Sequence, residues 1–385
     1  KVLDKNCSKF RNIEINVESL MNALYKDKKN TKNQLRLIFP DNEGQIMIDL
    51  YDKTPELQKG ITNYLNLYQV WDMRSLAVAS RSFSKHPQLR KKVLELYPDA
   101  KFNDKGIALH GKELITFLQG CSKAITALEK IDENVLSQLP DLEVIGKYGV
   151  GLDMLDLHAM NSHGVLLGWQ GGVNKRSVSE LVISFSISLL HRAVFANNEV
   201  KSGKWYQIKG SQLSNKKFGI IGCGHIGKDL VKLLQPFECD VFSYDILDFP
   251  DFYKKHGVVA VELDKLLQDC DVISLHVPLD ESTKNILSAE KLGLMKESAV
   301  LINFARGGLI DEKALKERIL SKKIAGVALD VFDIEPPIDE EFAFLENVVI
   351  TPHIGGSSEE AILTMGLSAI ESLENAKEAL SFLKE

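Results

Sequence analysis

The sequence predicts an α/β protein: parallel sheets covered by helices in two successive units, with a small α+β extension ahead of them. Three observations carry this. From about residue 75 onward, short β-branched runs alternate with amphipathic segments. After a long apolar helix, a second such series begins at Lys217. And 385 residues, 44% hydrophobic and 26% charged, match a globular chain of two or three domains, each large enough to bury its own core.

The charge balance, Lys+Arg 47 against Asp+Glu 53 for a net −6, includes no sustained basic stretch, so neither nucleic acid nor an anionic membrane is an expected partner. No apolar run approaches the roughly 20 residues of a membrane helix; Leu181 to Leu190 is broken by serines. Cys7, Cys121, Cys223, Cys239 and Cys270 form no CxxC pair and no zinc-type spacing, so no metal site is expected, and reduced thiols in a cytoplasmic protein are. Residue 1 is Lys, with no initiator Met and no signal-peptide pattern, which reads as a processed product or a piece of a longer chain.

In order along the chain, the extension has a polar loop from Asp27 to Asn33, strands Leu35 to Phe39 and Ile46 to Leu50 around a turn at Asp41 to Gly44, and a helix from about Pro55 to Leu67. The first α/β unit reads as strand Ser75 to Ser80, helices Pro87 to Tyr97 and Lys112 to Leu118, strand Lys123 to Ala127, helix Asp132 to Leu139, and strands Leu142 to Lys147 and Val165 to Leu167. Glu180 to Phe195 reads as one long apolar helix. The second unit follows: strand Phe218 to Ile221, helix Lys228 to Leu234, and strands Asp240 to Tyr244, Val258 to Ala260, Val272 to Leu275, Ala299 to Asn303, Gly326 to Leu329 and Val348 to Thr351. Residues 357 to 385 have helical periodicity.

Gly222, Gly224 and Gly227 fit G-x-G-x-x-G directly between a strand and a helix. The first glycine permits a tight turn, the second lets the backbone approach a pyrophosphate, and the third packs helix on strand, with the helix N-terminus facing the phosphate charge. Asp245 ends the next strand, about 20 residues on, where a carboxylate accepts hydrogen bonds from ribose hydroxyls and repels a 2′-phosphate, favouring NAD over NADP. His276, Val277 and Pro278 follow the strand Val272 to Leu275, at the next carboxyl edge.

Arg306, Glu335 and His353 fall at or just beyond the ends of late strands of the same sheet, and the carboxyl ends of such strands converge on one crevice. Hydride transfer between an alcohol carbon and nicotinamide needs a base for the hydroxyl proton, a cation to hold a carboxylate and polarise the carbonyl, and an acid to tune the base. His353 suits the first role, Arg306 the second through its two-point fork, and Glu335 the third. Taken singly, each also has a plain reading: a salt bridge, a loop acid, a satisfied histidine.

Five stretches carry a resemblance: Lys147 to Asp153 (KYGVGLD), Gly222 to Gly227 (GCGHIG), Asn303 to Glu312 (NFARGGLIDE), Asp330 to Pro336 (DVFDIEP) and Thr351 to Gly356 (TPHIGG). In that order, over residues 75 to 385, they resemble the successive signatures of the D-isomer-specific 2-hydroxyacid dehydrogenases, the family that includes phosphoglycerate dehydrogenase. The resemblance implies two flavodoxin/Rossmann-like doubly wound lobes with an NAD lobe, 176–351, inserted into a substrate lobe made of 71–175 and the C-terminal helix, 352–385. It implies catalysis by Arg306, Glu335 and His353 on a small 2-oxo or 2-hydroxy acid, whose carboxylate would meet the backbone N–H groups of Gly149 and Val150 as well as Arg306. It implies an NAD site lined by Gly222, Gly224, His225, Ile226, Gly227, Asp245, His276, Val277, Pro278, Phe304, Ala305, Arg306, Asp330, His353, Gly355 and Gly356. Trp169-Gln170-Gly171-Gly172 departs from the family's less bulky stretch, either reshaping the cleft or only packing.

In residues 1–70, Leu24 to Asn30 followed by Leu35 to Pro40 is similar to the DKK stretch late in the dehydroquinate synthase family; this reads as the tail of a fused upstream module or as an idiosyncratic extension. The competing functional reading is an NAD(H)-responsive, corepressor-like binding protein of the same fold. The apolar helix Glu180 to Phe195 and the stretch Asn197 to Trp205 correspond to the region that pairs subunits in the family, so a homodimer is expected.

Overall fold

The structure is a computed structural model that describes residues 75–337 and 344–384, residues 54, 59 and 342, and the backbone of 34–40 and 46–52. The DKK stretch and most of the helix expected from about Pro55 lie outside the described residues. The two extension strands are present as an antiparallel hairpin, β1 (Gln34–Pro40) and β2 (Ile46–Asp52).

The first lobe runs β3 (Leu76–Val78), α1 (Arg81–Lys85), α2 (Pro87–Leu96), β4 (Lys101–Phe102), α3 (Gly111–Leu118), β5 (Lys123–Thr126), α4 (Glu133–Leu136), β6 (Val144–Lys147), α5 (Leu157–Ser162) and β7 (Leu166–Gly168). Local chemistry sets the helix starts. Pro87 occupies the first turn of α2, and the carboxylates of Asp132 and Asp156 accept the Val135 and Ala159 N–H groups at 3.2 and 2.9 Å.

The chain then crosses through α6 (Lys175–Leu190) and α7 (Ala193–Lys201) into the second lobe: β8 (Lys217–Ile221), α8 (His225–Leu234), β9 (Asp240–Tyr244), α9 (Pro250–His256), β10 (Val259–Ala260), α10 (Leu263–Asp269), β11 (Val272–Leu275), α11 (Ala289–Gly293), β12 (Val300–Asn303), α12 (Glu312–Leu320), β13 (Gly326–Leu329) and β14 (Val348–Ile350). It returns to the first lobe as α13 (Glu359–Ser372), which packs on α2, β6 and β7, and as β15 (Lys377–Glu378), which adds antiparallel to β7.

The long helix expected over Glu180 to Phe195 is two helices. Arg192 adopts a left-handed backbone (φ 54°), and α6 and α7 meet at a bend of 62°. The apolar residues Ala193, Val194 and Phe195 continue the pattern across the break, which hides it from periodicity. Among the described residues no single helix is long and apolar enough to cross a membrane.

The second sheet is wholly parallel, in the order β10-β9-β8-β11-β12-β13-β14; the first is β15-β7-β6-β5-β3-β4, parallel except for β15. Both are doubly wound, and each reverses strand direction of travel once, which opens a crevice at the carboxyl ends. Strands β11, β12 and β13 are buried throughout, as sheets covered on both faces require. Leu266, Ile273 and Leu301 pack on one face of the second sheet and Val182, Leu230 and Ile302 on the other.

Candidate active site

The second sheet reverses between β8 and β11, and the glycine loop sits at that point. Gly222 has φ +97°, and a Cβ there would stand 2.8 Å from the His276 carbonyl carbon and 2.9 Å from Val277 Cγ1. Only glycine allows the two loops to pass so closely. At Gly227 a Cβ would run into the Gly222 carbonyl oxygen, whereas at Gly224, the residue opening α8, it would meet nothing within 4 Å. No side chain caps α8, and a helix N-terminus of this kind favours an anion. These residues fit a pyrophosphate.

Asp245 holds the loop from the next strand. One carboxylate oxygen accepts the Cys223 N–H at 2.5 Å and the other the Leu247 N–H at 2.8 Å. Its second lone pairs suit ribose hydroxyls. His276 shares a hydrogen bond with the Ser274 hydroxyl (2.9 Å) through Nε2, while Nδ1 has no partner. Burial pushes this imidazole down to about 3, so the ring is neutral near pH 7. Val277 packs partly into the core beside Gly222, and Pro278 is exposed. Ile226 is half-buried, and Gly171 and Gly172, from the first lobe, close on His225. Trp169 packs edge-on against Phe382 at 5.6 Å, so its bulk is spent on the first lobe's core.

The charged residues stand on three neighbouring strands. Arg306 lies three residues past β12, Glu335 beyond β13, and His353 three residues past β14. His353 Nδ1 and Glu335 Oε2 are 3.0 Å apart, and Glu335 Oε1 accepts the Phe332 N–H at 3.2 Å. Both side chains are near half-exposed, 51% for His353 and 40% for Glu335. His353 has φ +54° and is held there by Asp330: its N–H donates to the Asp330 carbonyl at 2.9 Å. The buried Asp330 carboxylate accepts from Thr351 Oγ1 (2.6 Å), Ile354 N (2.7 Å) and Gly355 N (2.7 Å), and the Gly355 carbonyl accepts from Ser177.

Phe304 and Asp330, both expected to line the cofactor, are buried. Phe304 turns its ring into the core, edge-on to Phe185 at 5.2 Å, and Ala305 is likewise buried. Asp330 is 1% exposed and its carboxylate is engaged by three protein donors, which makes it the brace of the His353 to Gly356 turn. Gly356 follows as a half-buried residue of that turn.

From the first lobe, the loop after β6 faces this group. Gly149 has φ +124°, and Val150 and Gly151 are half-buried. Beneath it Lys147, 5% exposed, donates to the Ala127 carbonyl at 2.5 Å. Burial pushes its ammonium down to about 8, with Arg306 adding to that and Glu129 and Asp153 opposing it. Across the cleft, Arg306 Nε and Nη2 both donate to Asp153 Oδ2, at 3.2 and 2.9 Å. Burial alone would raise the Asp153 carboxyl, but Arg306, through its charge and hydrogen bonds, and Lys147 bring it below the usual carboxylate range. In the sequence Asp153 stands at the end of the KYGVGLD motif with no role of its own. Among the described residues no group of three or more His, Cys, Asp or Glu is placed to hold a metal.

The profile of the NAD-binding domain of the D-isomer specific 2-hydroxyacid dehydrogenases matches residues 183–355. A hydroxypyruvate reductase of Thermotoga maritima is 35% identical over 258 residues, covering 65% of this chain and 82% of that protein. The chain belongs to the D-isomer specific 2-hydroxyacid dehydrogenase family. As a member, it is an NAD-dependent oxidoreductase of 2-hydroxy acids. A D-3-phosphoglycerate dehydrogenase of Methanocaldococcus jannaschii is 37% identical over 248 residues, which cover 64% of this chain but only 47% of that longer protein. A D-lactate dehydrogenase of Aquifex aeolicus, solved with NAD and lactic acid, superposes with a TM-score of 0.67 at 26% identity, over 78% of this chain and 94% of that one.

Proposed function

We propose that the chain interconverts a D-2-hydroxy acid and its 2-oxo acid, with His353 as general acid/base, Glu335 tuning it, and Arg306 holding the substrate carboxylate and carbonyl. The observation that carries this reading is the His353 Nδ1 to Glu335 Oε2 contact of 3.0 Å, on strands next to the one that bears Arg306. Glu335 fixes the proton of neutral His353 on Nδ1, which leaves Nε2 as the nitrogen for the substrate oxygen. In oxidation Nε2 takes the hydroxyl proton, and the imidazolium so formed is balanced by the Glu335 carboxylate. In reduction Nε2–H gives that proton back to the carbonyl oxygen.

Arg306 and the N–H groups of Gly149 and Val150 bind the carboxylate from opposite lobes, which fixes the face that C2 presents. NAD, held by the glycine loop, Asp245 and the His276 to Pro278 edge, supplies the hydride acceptor. Two further features of the protein enter the proposal. Helix α7 buries none of its residues and Trp205 beyond it is 88% exposed, which supports pairing of two subunits through this region. Cys121, Cys223, Cys239 and Cys270 are free thiols, which suits the reducing cytoplasm.

Turnover tests the reading. Wild-type protein should oxidise NADH with at least one of hydroxypyruvate, glyoxylate and pyruvate, and His353→Ala should still bind NADH but lose that turnover. NADH binding by the wild type with no turnover of any 2-oxo acid would instead support a binding protein.

A further inference from the structure

The Arg306–Asp153 pair joins the two lobes at the point where the substrate carboxylate is to be read. Arg306 carries five N–H groups. Nε and one N–H of Nη2 go to Asp153 Oδ2, and one N–H of Nη1 goes to the Ala305 carbonyl at 2.8 Å. One N–H on each Nη is left for the substrate carboxylate. Asp153 thus takes one edge of the guanidinium and leaves the other.

The ground under this pair is shaped for it. Gly151 lies against both partners: a Cβ there would run into Arg306 Nη2 and the Asp153 carboxylate. Gly151 needs no unusual φ, so what its missing side chain provides is room for the ion pair.

We infer that Asp153 is a positioning residue: from the substrate lobe it clamps the side edge of Arg306, so that the free end of the fork faces the substrate carboxylate only when the two lobes are together. This rests on the proposed role of Arg306. Its consequence has a sign that simple charge counting reverses. A carboxylate beside the anion site repels the substrate, so removing it should tighten anion binding by Coulomb's law alone. Removing a clamp should weaken it, because Arg306 must then be ordered by the ligand itself.

The test is the affinity of oxamate, a carboxylate shaped like a short 2-oxo acid, for the enzyme–NADH complex, read by quenching of NADH fluorescence. Asp153→Ala should weaken oxamate by about tenfold, the scale of one charge-assisted contact, with NADH affinity unchanged. In an Arg306→Lys background, where no fork remains to be clamped, the same substitution should change oxamate affinity by less than about twofold, the non-additivity expected of residues acting as a unit. Gly151→Ala should weaken oxamate like Asp153→Ala and add nothing to it.

Unchanged or tighter oxamate binding in Asp153→Ala, or an equal loss in both backgrounds, would overturn the inference. If Asp153→Ala fails to bind NADH, Asp153→Leu, which keeps the bulk but has no acceptor, is read the same way. A wild-type protein that turns over no 2-oxo acid would instead overturn the proposed function, so the two failures are distinct.

Discussion

Replacing Glu335 by Gln keeps the shape of the side chain and removes the charge that faces His353. The two groups are 3.0 Å apart. At that distance a unit charge pair is worth about 1.4 kcal/mol in a water-like dielectric and about 5.5 kcal/mol at an effective constant of about 20. His353 is 51% exposed and Glu335 40%, which places the pair near the lower figure. The carboxylate stabilises the imidazolium that forms as His353 takes the hydroxyl proton, so its loss raises the barrier to oxidation by up to this amount. About 1.4 kcal/mol corresponds to about tenfold in rate.

Reduction uses the imidazolium, and its rate is lost as pH rises. Oxidation starts from neutral His353 and ends with the imidazolium, so in Glu335→Gln the oxidative kcat should fall by up to about tenfold. Initial rates of NAD reduction at saturating 2-hydroxy acid and fixed pH give the loss directly. An unchanged or faster oxidative rate would refute the electrostatic role of Glu335.

Two other predictions concern the supports of the site. Oδ1 of Asp330 accepts from Thr351 and Ile354 and Oδ2 from Gly355, so Asp330→Asn keeps at best two of these bonds, turns its N–H₂ on the Gly355 N–H, and should lower stability by about 2 kcal/mol in urea unfolding; a loss below about 1 kcal/mol would contradict its role as brace. Lys147 is held in the fold at about 8 against 10.5 when free, so the unfolded chain binds the extra proton between those values and stability rises with pH across that window. Relative to Lys147→Met, which has no such proton, the wild type should gain up to about 3 kcal/mol between about pH 8 and about pH 10.5, and a flat difference would mean that the ammonium is not desolvated.

Much of this was legible in the sequence, for reasons that differ by element. Strand Gly326–Leu329 is buried on both faces and shows as an unbroken apolar run, and Val272–Leu275 does so but for Ser274, so their limits agree with the structure. Strands β4 and β15 have two residues each; at the sheet edge they are defined by a partner strand and carry no pattern of their own. Helix α6 begins at Lys175, five residues before the apolar pattern, because its first turn is polar.

In the site, the glycine loop, Asp245 and the strand-end positions of Arg306, Glu335 and His353 could be read from spacing, since a parallel sheet brings those ends together. What spacing cannot show is contact between distant loops. Asp153 meets Arg306 only when the lobes face each other, and Asp330 reads as one more acidic residue until three donors are seen around it.

The central claim, that His353 carries the proton, is tested most directly by comparing the two directions of the reaction. With the hydride step limiting, the account predicts opposite slopes: as pH rises, the rate of 2-oxo acid reduction falls and the rate of 2-hydroxy acid oxidation rises. Slopes of the same sign in both directions would contradict it.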